Sequence, residues 1–162
     1  MGLMIKSGGH FTYRENSCVI GAVVSIKGFP YIVTSAHVFH KEGDHVIVDG
    51  KKAIVTSILK DFDLALIELP HELEVEFTDF GSPLELEQAL LVNEMHTIKC
   101  RVVTAGSSLL FLGFQCHDMP GPEDSGSPIV QAGKVIGIMS STTLDTCMGM
   151  AVSSKILRSL EV

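Results

Sequence analysis

Residues 17–34, SCVIGAVVSIKGFPYIVT, show the pattern on which the fold of this chain rests. Two apolar, β-branched runs, 17–26 and 31–34, lie on either side of a turn at Lys27-Gly28. β-branched side chains pack well on a pleated sheet, and glycine supplies the backbone freedom that a tight turn needs. The stretch therefore predicts two antiparallel strands joined by a short connection.

Short strand-like runs of the same kind continue along the whole chain. Asp49-Gly50 separates the runs 46–48 and 53–58, and this dipeptide between two such runs is a strong signal for a β-hairpin. A short helix is expected over 155–160, after a serine cap. We therefore predict an all-β fold of two antiparallel β-barrels with a short C-terminal helix. The further predicted strands are 64–69, 97–104, 109–114, 128–130, 135–139 and 148–152.

An acidic segment divides the predicted strands into two groups. Residues 71–94 are rich in glutamate and are interrupted by Gly-Ser-Pro at 81–83. Within this segment, Glu85–Leu91 fits either one helical turn or a strand. We interpret the segment as the passage between two lobes. The predicted domains are an N-terminal lobe over 1–75 that carries His37 and Asp63, an interlobe crossover over 76–94, and a C-terminal lobe over 95–162 that carries Ser125.

Composition and charge exclude several classes of protein. The chain has 162 residues, of which 46% are hydrophobic and 19% are charged, and a disordered protein would show the reverse balance. The net charge is −7, and no cluster of Lys and Arg is present to bind phosphates. The apolar runs are too short to span a bilayer. The sequence therefore predicts neither a nucleic-acid partner nor a membrane partner.

The cysteines and the N-terminus bear on the cellular compartment. Cys18, Cys100, Cys116 and Cys147 are widely spaced, which predicts neither a zinc site nor a disulfide scaffold. Buried free thiols in a reducing compartment are the favoured interpretation, although pairing of Cys116 with Cys147 stays open. Residues 1–9 lack the apolar run of a signal peptide. We therefore expect a cytoplasmic protein.

Three segments carry the residue types that acyl transfer needs. A histidine follows an apolar strand in 34–38, an aspartate precedes one in 61–66, and a serine lies in the Gly/Pro-rich loop 121–128. A serine hydroxyl is a weak nucleophile that needs a base, and histidine titrates near neutrality. A carboxylate fixes the imidazole tautomer and stabilises the imidazolium that forms. The three segments in this order indicate acyl transfer far more specifically than any one of them alone.

On these segments the sequence resembles the trypsin/chymotrypsin-like serine peptidase family. The resemblance rests on TSAH at 34–37, DLAL at 63–66 and EDSGSP at 123–128, with support from GKVIGIMSS at 133–141 and GMAV at 149–152. It implies two six-stranded β-barrels with the active site in the cleft between them. The implied activity is endopeptidase hydrolysis of a protein or peptide substrate through an acyl-enzyme, without a cofactor. The small size is similar to intracellular or viral members, and a viral member would act in the host-cell cytoplasm.

The resemblance assigns a role to each residue of the three segments. His37 is the implied general base and Ser125 the implied nucleophile. The backbone N–H groups of Ser125 and Glu123 are the implied oxyanion hole. Asp63 is the implied partner of the imidazole, and we favour it over Asp61 because it directly precedes the apolar strand where the family places its acid.

The same resemblance suggests where the side chain before the scissile bond is bound. Met119, six residues before Ser125, is the implied base of the pocket, and the absence of an acid there argues against cleavage after Lys or Arg. Thr142 stands where members with large pockets often have glycine, which predicts a narrowed pocket for small or medium apolar side chains. The implied walls are Ser140, Ser141, Thr142 and Gly149.

Two positions depart from the family pattern: Val38 stands where a cysteine commonly follows the implied base, and position 123 differs as well. Position 123, two before the implied nucleophile, is usually glycine in the family and is Glu123 here. A residue with a Cβ resists positive φ, so one oxyanion N–H is expected to turn away at rest. The alternative function is therefore a catalytically latent or inactive domain that acts as a partner-regulated binding module. The expected partners besides substrate are a regulatory partner or further copies of the chain in a homo-oligomer. Asp124 matches the buried acid that secures the active loop in many members.

A histidine-rich segment offers a metal site as a weaker alternative. Its spacing is not H-E-x-x-H, and a loop would have to fold around the ion. We therefore predict that no metal is bound. The residues concerned are His37, His40, Glu42, Asp44 and His45.

Overall fold

The structure, a computed structural model, describes residues 4–161. Short strands joined by tight turns make up most of it, as the β-branched runs predict. No helix in this described part is long and apolar enough to cross a bilayer. Single 3-10 turns lie at 36–38, 60–62, 122–124 and 144–146. The strands and the helix are β1 His10–Tyr13, β2 Asn16–Val19, β3 Ala22–Ile26, β4 Phe29–Ser35, β5 His45–Val48, β6 Lys51–Leu59, β7 Leu64–Glu68, β8 Gln88–Val92, β9 Thr97–Ala105, β10 Leu109–Phe114, β11 Pro128–Gln131, β12 Lys134–Thr143, β13 Met148–Ser153 and α1 Ser154–Ser159.

The first lobe is a seven-stranded antiparallel sheet in the order β2-β1-β5-β6-β7-β4-β3. The predicted hairpin at Asp49-Gly50 joins β5 to β6, with both turn residues at positive φ. In the described residues the end strands β2 and β3 form no ladder, so this sheet stays open where a closed barrel is predicted. Its core includes Phe11, Ile32, Val46, Val55 and Ile67.

The second lobe is a closed six-stranded barrel in the order β10-β13-β12-β11-β8-β9. The turn between β11 and β12 has Ala132 and Gly133 at positive φ, as a two-residue hairpin requires. β8 lies inside the predicted interlobe crossover 76–94, so the end of that segment contributes a strand to the barrel. The barrel core includes Leu91, Val102, Leu112, Ile129 and Ile136.

The two lobes meet along an apolar contact that we call the lobe seam. Full burial of one large aliphatic side chain is worth about 1.5–3 kcal/mol, so a seam of several such residues fixes the lobes relative to each other. α1 covers one end of the seam and begins at Ser153, whose hydroxyl accepts the Lys155 N–H at 3.2 Å, as the predicted cap requires. The buried seam residues include Val33, Leu64, Ile138, Val152 and Leu157.

The run 17–26 forms two strands rather than the single strand predicted. The strand is interrupted at Ile20 and Gly21. There the backbone of Ile20 forms hydrogen bonds with the N-terminal segment and does not continue the pairing of a single strand. Gly8 donates its N–H to the Ile20 carbonyl, and Ile20 donates its own to the Gly9 carbonyl, both at 2.7 Å. Gly8 and Gly9 are thereby hydrogen-bonded to the first lobe.

Gly21 lies where the two lobes touch, and no side chain fits there. A Cβ on Gly21 would lie 2.6 Å from Ile138 Cδ1, 2.7 Å from the Gly126 carbonyl oxygen and 2.8 Å from the Val33 carbonyl oxygen. Overpacking of this kind costs about 1–3 kcal/mol. Gly21→Ala is therefore expected to lower the free energy of unfolding by that amount in urea denaturation.

Gly113→Ala is the matched control for this prediction. A Cβ on Gly113 would meet its nearest neighbour at 3.4 Å, which is an ordinary contact. Its effect on the free energy of unfolding is expected to stay below about 1 kcal/mol. Equal losses in the two variants would contradict a tight interlobe contact at Gly21.

Candidate active site

His37 and Asp63 are brought together by two neighbouring strands of the first lobe. β4 ends at Ser35, just before the 3-10 turn that carries His37, and Asp63 directly precedes β7. The strands pair antiparallel with Ser35 opposite Leu64, and the Ala36 N–H donates to the Asp63 carbonyl oxygen at 3.0 Å. The end of one strand thus lies beside the start of the other, which places both side chains at one edge of the sheet.

The imidazole of His37 contacts both Asp63 and Ser125. Its Nδ1 lies 2.9 Å from Asp63 Oδ2, and its Nε2 lies 3.2 Å from Ser125 Oγ. The backbone N–H of His37 also donates to Asp63 Oδ1 at 2.9 Å. Because an ionised carboxylate only accepts, Nδ1 carries the proton, and the neutral ring has Nε2 available to accept the hydroxyl proton. This is the geometry in which an imidazole can act as a base toward serine.

Two serines complete the environment of the Asp63 carboxylate. Ser140 of β12 donates its hydroxyl to Asp63 Oδ2 at 2.8 Å, and the Ser35 hydroxyl donates to the same oxygen at 3.3 Å. Ser140, expected in a pocket wall, therefore directs its hydroxyl to the carboxylate. The sequence gives no signal for this bond, because it joins residues 77 positions apart in different lobes.

The hydrogen bonds shift the pKa values of both groups. The hydrogen bond to Asp63 raises the pKa of His37 above its ordinary value, although burial of the ring acts in the opposite direction. Burial also opposes ionisation of Asp63, but hydrogen bonds from His37 and Ser140 outweigh it and hold the pKa of this carboxyl below its ordinary value. Asp63 is therefore ionised at neutral pH, and His37 is a stronger base than a free imidazole.

Residues 121–127 carry Ser125, the predicted nucleophile, and we call this segment the nucleophile loop. Pro122–Asp124 make a 3-10 turn, and the Ser125 N–H donates to the Pro122 carbonyl oxygen at 3.3 Å. This N–H is one of the two donors predicted for the oxyanion hole, and here it bonds within its own loop. Glu123, the source of the other predicted donor, is exposed and is not among the residues at positive φ.

The predicted pocket residues lie next to apolar side chains of the second lobe. Met119 is half-buried and packs against the barrel core. A Cβ on Gly149 would lie 2.6 Å from both Met139 Cε and Phe114 Cε2, so these two side chains fill the space beside the glycine. The predicted wall residues 141–142 are exposed on β12. The surroundings are apolar and leave little room at Gly149.

Solved structures of proteases superpose on nearly the whole chain. For Thermobifida fusca protease A the match covers 98% of this chain and 94% of that one, with a TM-score of 0.74 and 14% identity. For the Nocardiopsis protease the coverage is 98% and 97%, with a TM-score of 0.76 and 14% identity. The serine protease of a human pathogenic astrovirus matches over 94% and 93%, with a TM-score of 0.63 and 21% identity. The chain has a chymotrypsin-like fold. The predicted fold class is thereby confirmed.

No protein-family model matches the chain. JmjC domain-containing protein A of Dictyostelium discoideum is 34% identical over 100 residues, which are 59% of this chain and 36% of that protein. The chain spans little more than a third of the length of this curated relative.

Cys116 and Cys147 form a disulfide, with their Cα atoms 5.2 Å apart. The expectation of free thiols is therefore wrong for this pair. The pairing of β10 with β13 brings together the chain segments that carry the two cysteines, and the Phe114 N–H donates to the Cys147 carbonyl oxygen at 2.9 Å. Cys18 and Cys100 carry free thiols, and burial raises the pKa of the Cys100 thiol to about 12. The disulfide removes the argument from free thiols for a reducing compartment.

Asp124, next to Ser125 in this chymotrypsin-like fold, is fully buried. Its Oδ2 accepts the Gly121 N–H at 2.9 Å, while its Oδ1 accepts His96 Nε2–H at 2.7 Å and Asn93 Nδ2–H at 2.9 Å. No sequence pattern points to Asn93 or His96, because they belong to no motif. Asn93 lies at the end of the predicted crossover 76–94 and His96 just beyond it.

The carboxylates of the histidine-rich segment have protein partners. Asp44 accepts the Tyr13 hydroxyl at 2.7 Å and two backbone N–H groups at 3.3 Å. Glu42 accepts the Ile58 N–H at 3.0 Å. In the part of the chain that the structure describes, no group of three or more His, Cys, Asp and Glu side chains is arranged to hold a metal ion.

The pKa of His37 is expected to depend on Asp63 and not on Asp61, which is exposed in the preceding 3-10 turn. An NMR titration of the native protein should give a His37 pKa above the ordinary value of about 6.5. Asp63→Asn should lower this pKa, because it removes the negative charge that favours the imidazolium. Asp61→Asn should leave it unchanged, and the reverse pattern would contradict the pairing of His37 with Asp63.

Proposed function

We propose that this protein is a serine endopeptidase that hydrolyses peptide bonds through an acyl-enzyme on Ser125. The observation that carries the proposal is the pair of His37 contacts, Nδ1 to Asp63 Oδ2 at 2.9 Å and Nε2 to Ser125 Oγ at 3.2 Å. A nucleophile within reach of a base that a third group orients is the geometric requirement for nucleophilic catalysis. The fold supports the proposal, because the solved structures named above are proteases.

The proposed reaction has two halves. In acylation, Nε2 of His37 takes the hydroxyl proton of Ser125 while Oγ bonds to the substrate carbonyl carbon, and the imidazolium then gives the proton to the leaving amine as the C–N bond breaks. In deacylation, His37 takes a proton from the water that attacks the acyl carbon, and Oγ regains a proton as the ester breaks. Asp63 stays ionised throughout and stabilises the imidazolium.

The proposed substrate is a protein or peptide with a small or medium apolar residue before the scissile bond. Support comes from the apolar packing at the predicted pocket, where Met119 is half-buried and Met139 and Phe114 lie against Gly149. No carboxylate stands at position 119 to pair with a Lys or Arg side chain. Cleavage of a peptide library, followed by mass spectrometry, measures this preference, and cleavage after Lys or Arg would contradict it.

Ser125→Ala and His37→Ala are each expected to abolish peptide cleavage while the protein stays folded. The groups act as one unit, so loss of either should lower kcat by several orders of magnitude. Peptide cleavage and labelling by a serine-reactive phosphonate, read by intact-mass spectrometry, test this. His45→Ala is the matched control, because His45 is exposed on β5 and takes no part in these contacts. This variant should cleave the peptide at the native rate. Cleavage that survives Ser125→Ala would overturn the proposed function.

A second candidate function, a latent enzyme that a partner or substrate switches on, is favoured by one observation. The Ser125 N–H donates to the Pro122 carbonyl oxygen at 3.3 Å, so it does not point freely into the cleft. One oxyanion donor is worth about 3 kcal/mol, or roughly a hundredfold or more in rate. A ligand that binds the open loop better than the closed one would restore the donor by shifting the population.

Glu123→Gly is expected to raise the basal kcat with little change in KM. Glycine reaches positive φ without strain, so the peptide between Pro122 and Glu123 can turn and release the Ser125 N–H. The gain should approach the roughly hundredfold that one donor is worth. Glu123→Ala is the matched control, because it removes the carboxylate but keeps the Cβ, and it should stay near the native rate. An unchanged or lower kcat in Glu123→Gly would contradict the latent state.

A further inference from the structure

The carboxylate of Asp124 is buried completely, one residue before Ser125. A buried carboxylate is costly unless hydrogen bonds replace the lost water. Three donors do so, the Gly121 N–H from the nucleophile loop itself, and the Asn93 and His96 side chains from the turn between β8 and β9. The loop therefore depends on a turn of the barrel that is remote from it in sequence.

The turn between β8 and β9 is built so that its side chains face Asp124. The Asn93 N–H donates to the His96 carbonyl at 3.1 Å, which closes the turn. Asn93 Oδ1 accepts the N–H groups of Met95 and His96 at 2.9 and 3.2 Å. Asn93 Nδ2 donates to Asp124 Oδ1 at 2.9 Å and to Ser127 Oγ at 3.0 Å. One buried amide thus shapes the turn and binds the nucleophile loop at two points.

His96 contributes the shortest of the contacts to Asp124, with Nε2 lying 2.7 Å from Oδ1. Since the carboxylate only accepts, the Nε2 of His96 carries the proton in either the neutral or the charged ring. The histidine side chain is 38% exposed, whereas its partner is 0% exposed. Loss of the imidazole would leave Asp124 buried with one donor fewer, and the turn that carries Ser125 would be free to shift.

We propose that His96 is a positioning residue for the nucleophile, which it fixes through Asp124 together with Asn93. The donors on Asp124 hold the C-terminal end of the 3-10 turn 122–124, and Ser125 follows directly. We call the hydrogen bonds that Asp124 accepts from Gly121, Asn93 and His96 the clamp, and it fixes Ser125 Oγ. The peptide between Pro122 and Glu123 takes no part in these hydrogen bonds and stays able to turn. The proposal rests on the proposed function for its kinetic effects, whereas its effect on loop order does not depend on activity.

A second histidine–carboxylate pair in the same region provides a matched comparison. His10 Nδ1 lies 2.8 Å from Glu94 Oε1, in the same β8–β9 turn. Glu94 is 62% exposed, and neither member of this pair contacts the nucleophile loop through a hydrogen bond. His10→Gln therefore alters a similar interaction without touching Asp124.

The test compares His96→Ala, His96→Gln and His10→Gln with the native protein. His96→Ala should lower kcat for a peptide substrate, and the rate of phosphonate labelling at Ser125, by about ten- to hundredfold, the range for a buried group that loses a partner. KM should change less than about twofold, because the substrate pocket is not altered. His96→Gln should recover most of the rate, since its amide N–H can reach Asp124, and His10→Gln should match the native rate.

Hydrogen–deuterium exchange of residues 121–127 gives a readout that does not require activity. Exchange of these amides should rise in His96→Ala and stay native in His10→Gln and His96→Gln. Where His96→Ala does not fold, His96→Asn makes the same comparison, because its shorter amide does not reach the carboxylate. If the native protein shows no Ser125-dependent labelling, the proposed function fails, and the exchange data alone decide on the clamp. Native exchange in folded His96→Ala, or equal defects in the Ala and Gln variants, would overturn the proposal.

Discussion

The distance of 3.2 Å between His37 Nε2 and Ser125 Oγ depends on the packing of the lobe seam. His37 and Asp63 belong to the first lobe and Ser125 to the second, so no single sheet holds the three together. Gly21 and Ile138 meet in the seam at a contact where even a Cβ would be only 2.6 Å away. Because the seam is packed this tightly, the two lobes have little room to shift relative to each other. This matters for the proposed reaction, since a shift of about 1 Å at a reacting group is enough to lose much of the rate.

The nucleophile loop is held firmly at one end and is less constrained at the other. Asp124 is buried under three donors, and Asn93 also holds Ser127 by a hydrogen bond of 3.0 Å. By contrast, Glu123 is exposed, and the Pro122 carbonyl is satisfied by the Ser125 N–H at 3.3 Å, a rather long bond. The loop therefore holds Ser125 on one side while the peptide between Pro122 and Glu123 is held by a single long hydrogen bond, and the proposal of a latent state rests on this difference.

The parts of the structure that could be predicted from sequence are those that short segments determine. Asp49-Gly50 forces a hairpin by its own backbone preferences, and Asp63 lies beside His37 because each adjoins an apolar strand. The contacts that could not be predicted join residues that are distant in the chain, such as Ser140 and Asp63, 77 positions apart, or His96 and Asp124, 28 positions apart. No local pattern reports them, because the strand order of the barrel and the lobe seam decide which residues meet. The pairing of Cys116 with Cys147 stayed open in the sequence for the same reason, because it depends on the pairing of β10 with β13.

A crystal structure of the protein after reaction with a peptidyl phosphonate would show which residue is the nucleophile. We expect a tetrahedral phosphorus bonded to Ser125 Oγ, with His37 and Asp63 in their present contact. We also expect one phosphonyl oxygen to accept the N–H groups of Glu123 and Ser125, and the Pro122 carbonyl to accept no longer from Ser125. A phosphonate attached elsewhere, or a protein that takes up none, would contradict the claim that Ser125 is the nucleophile.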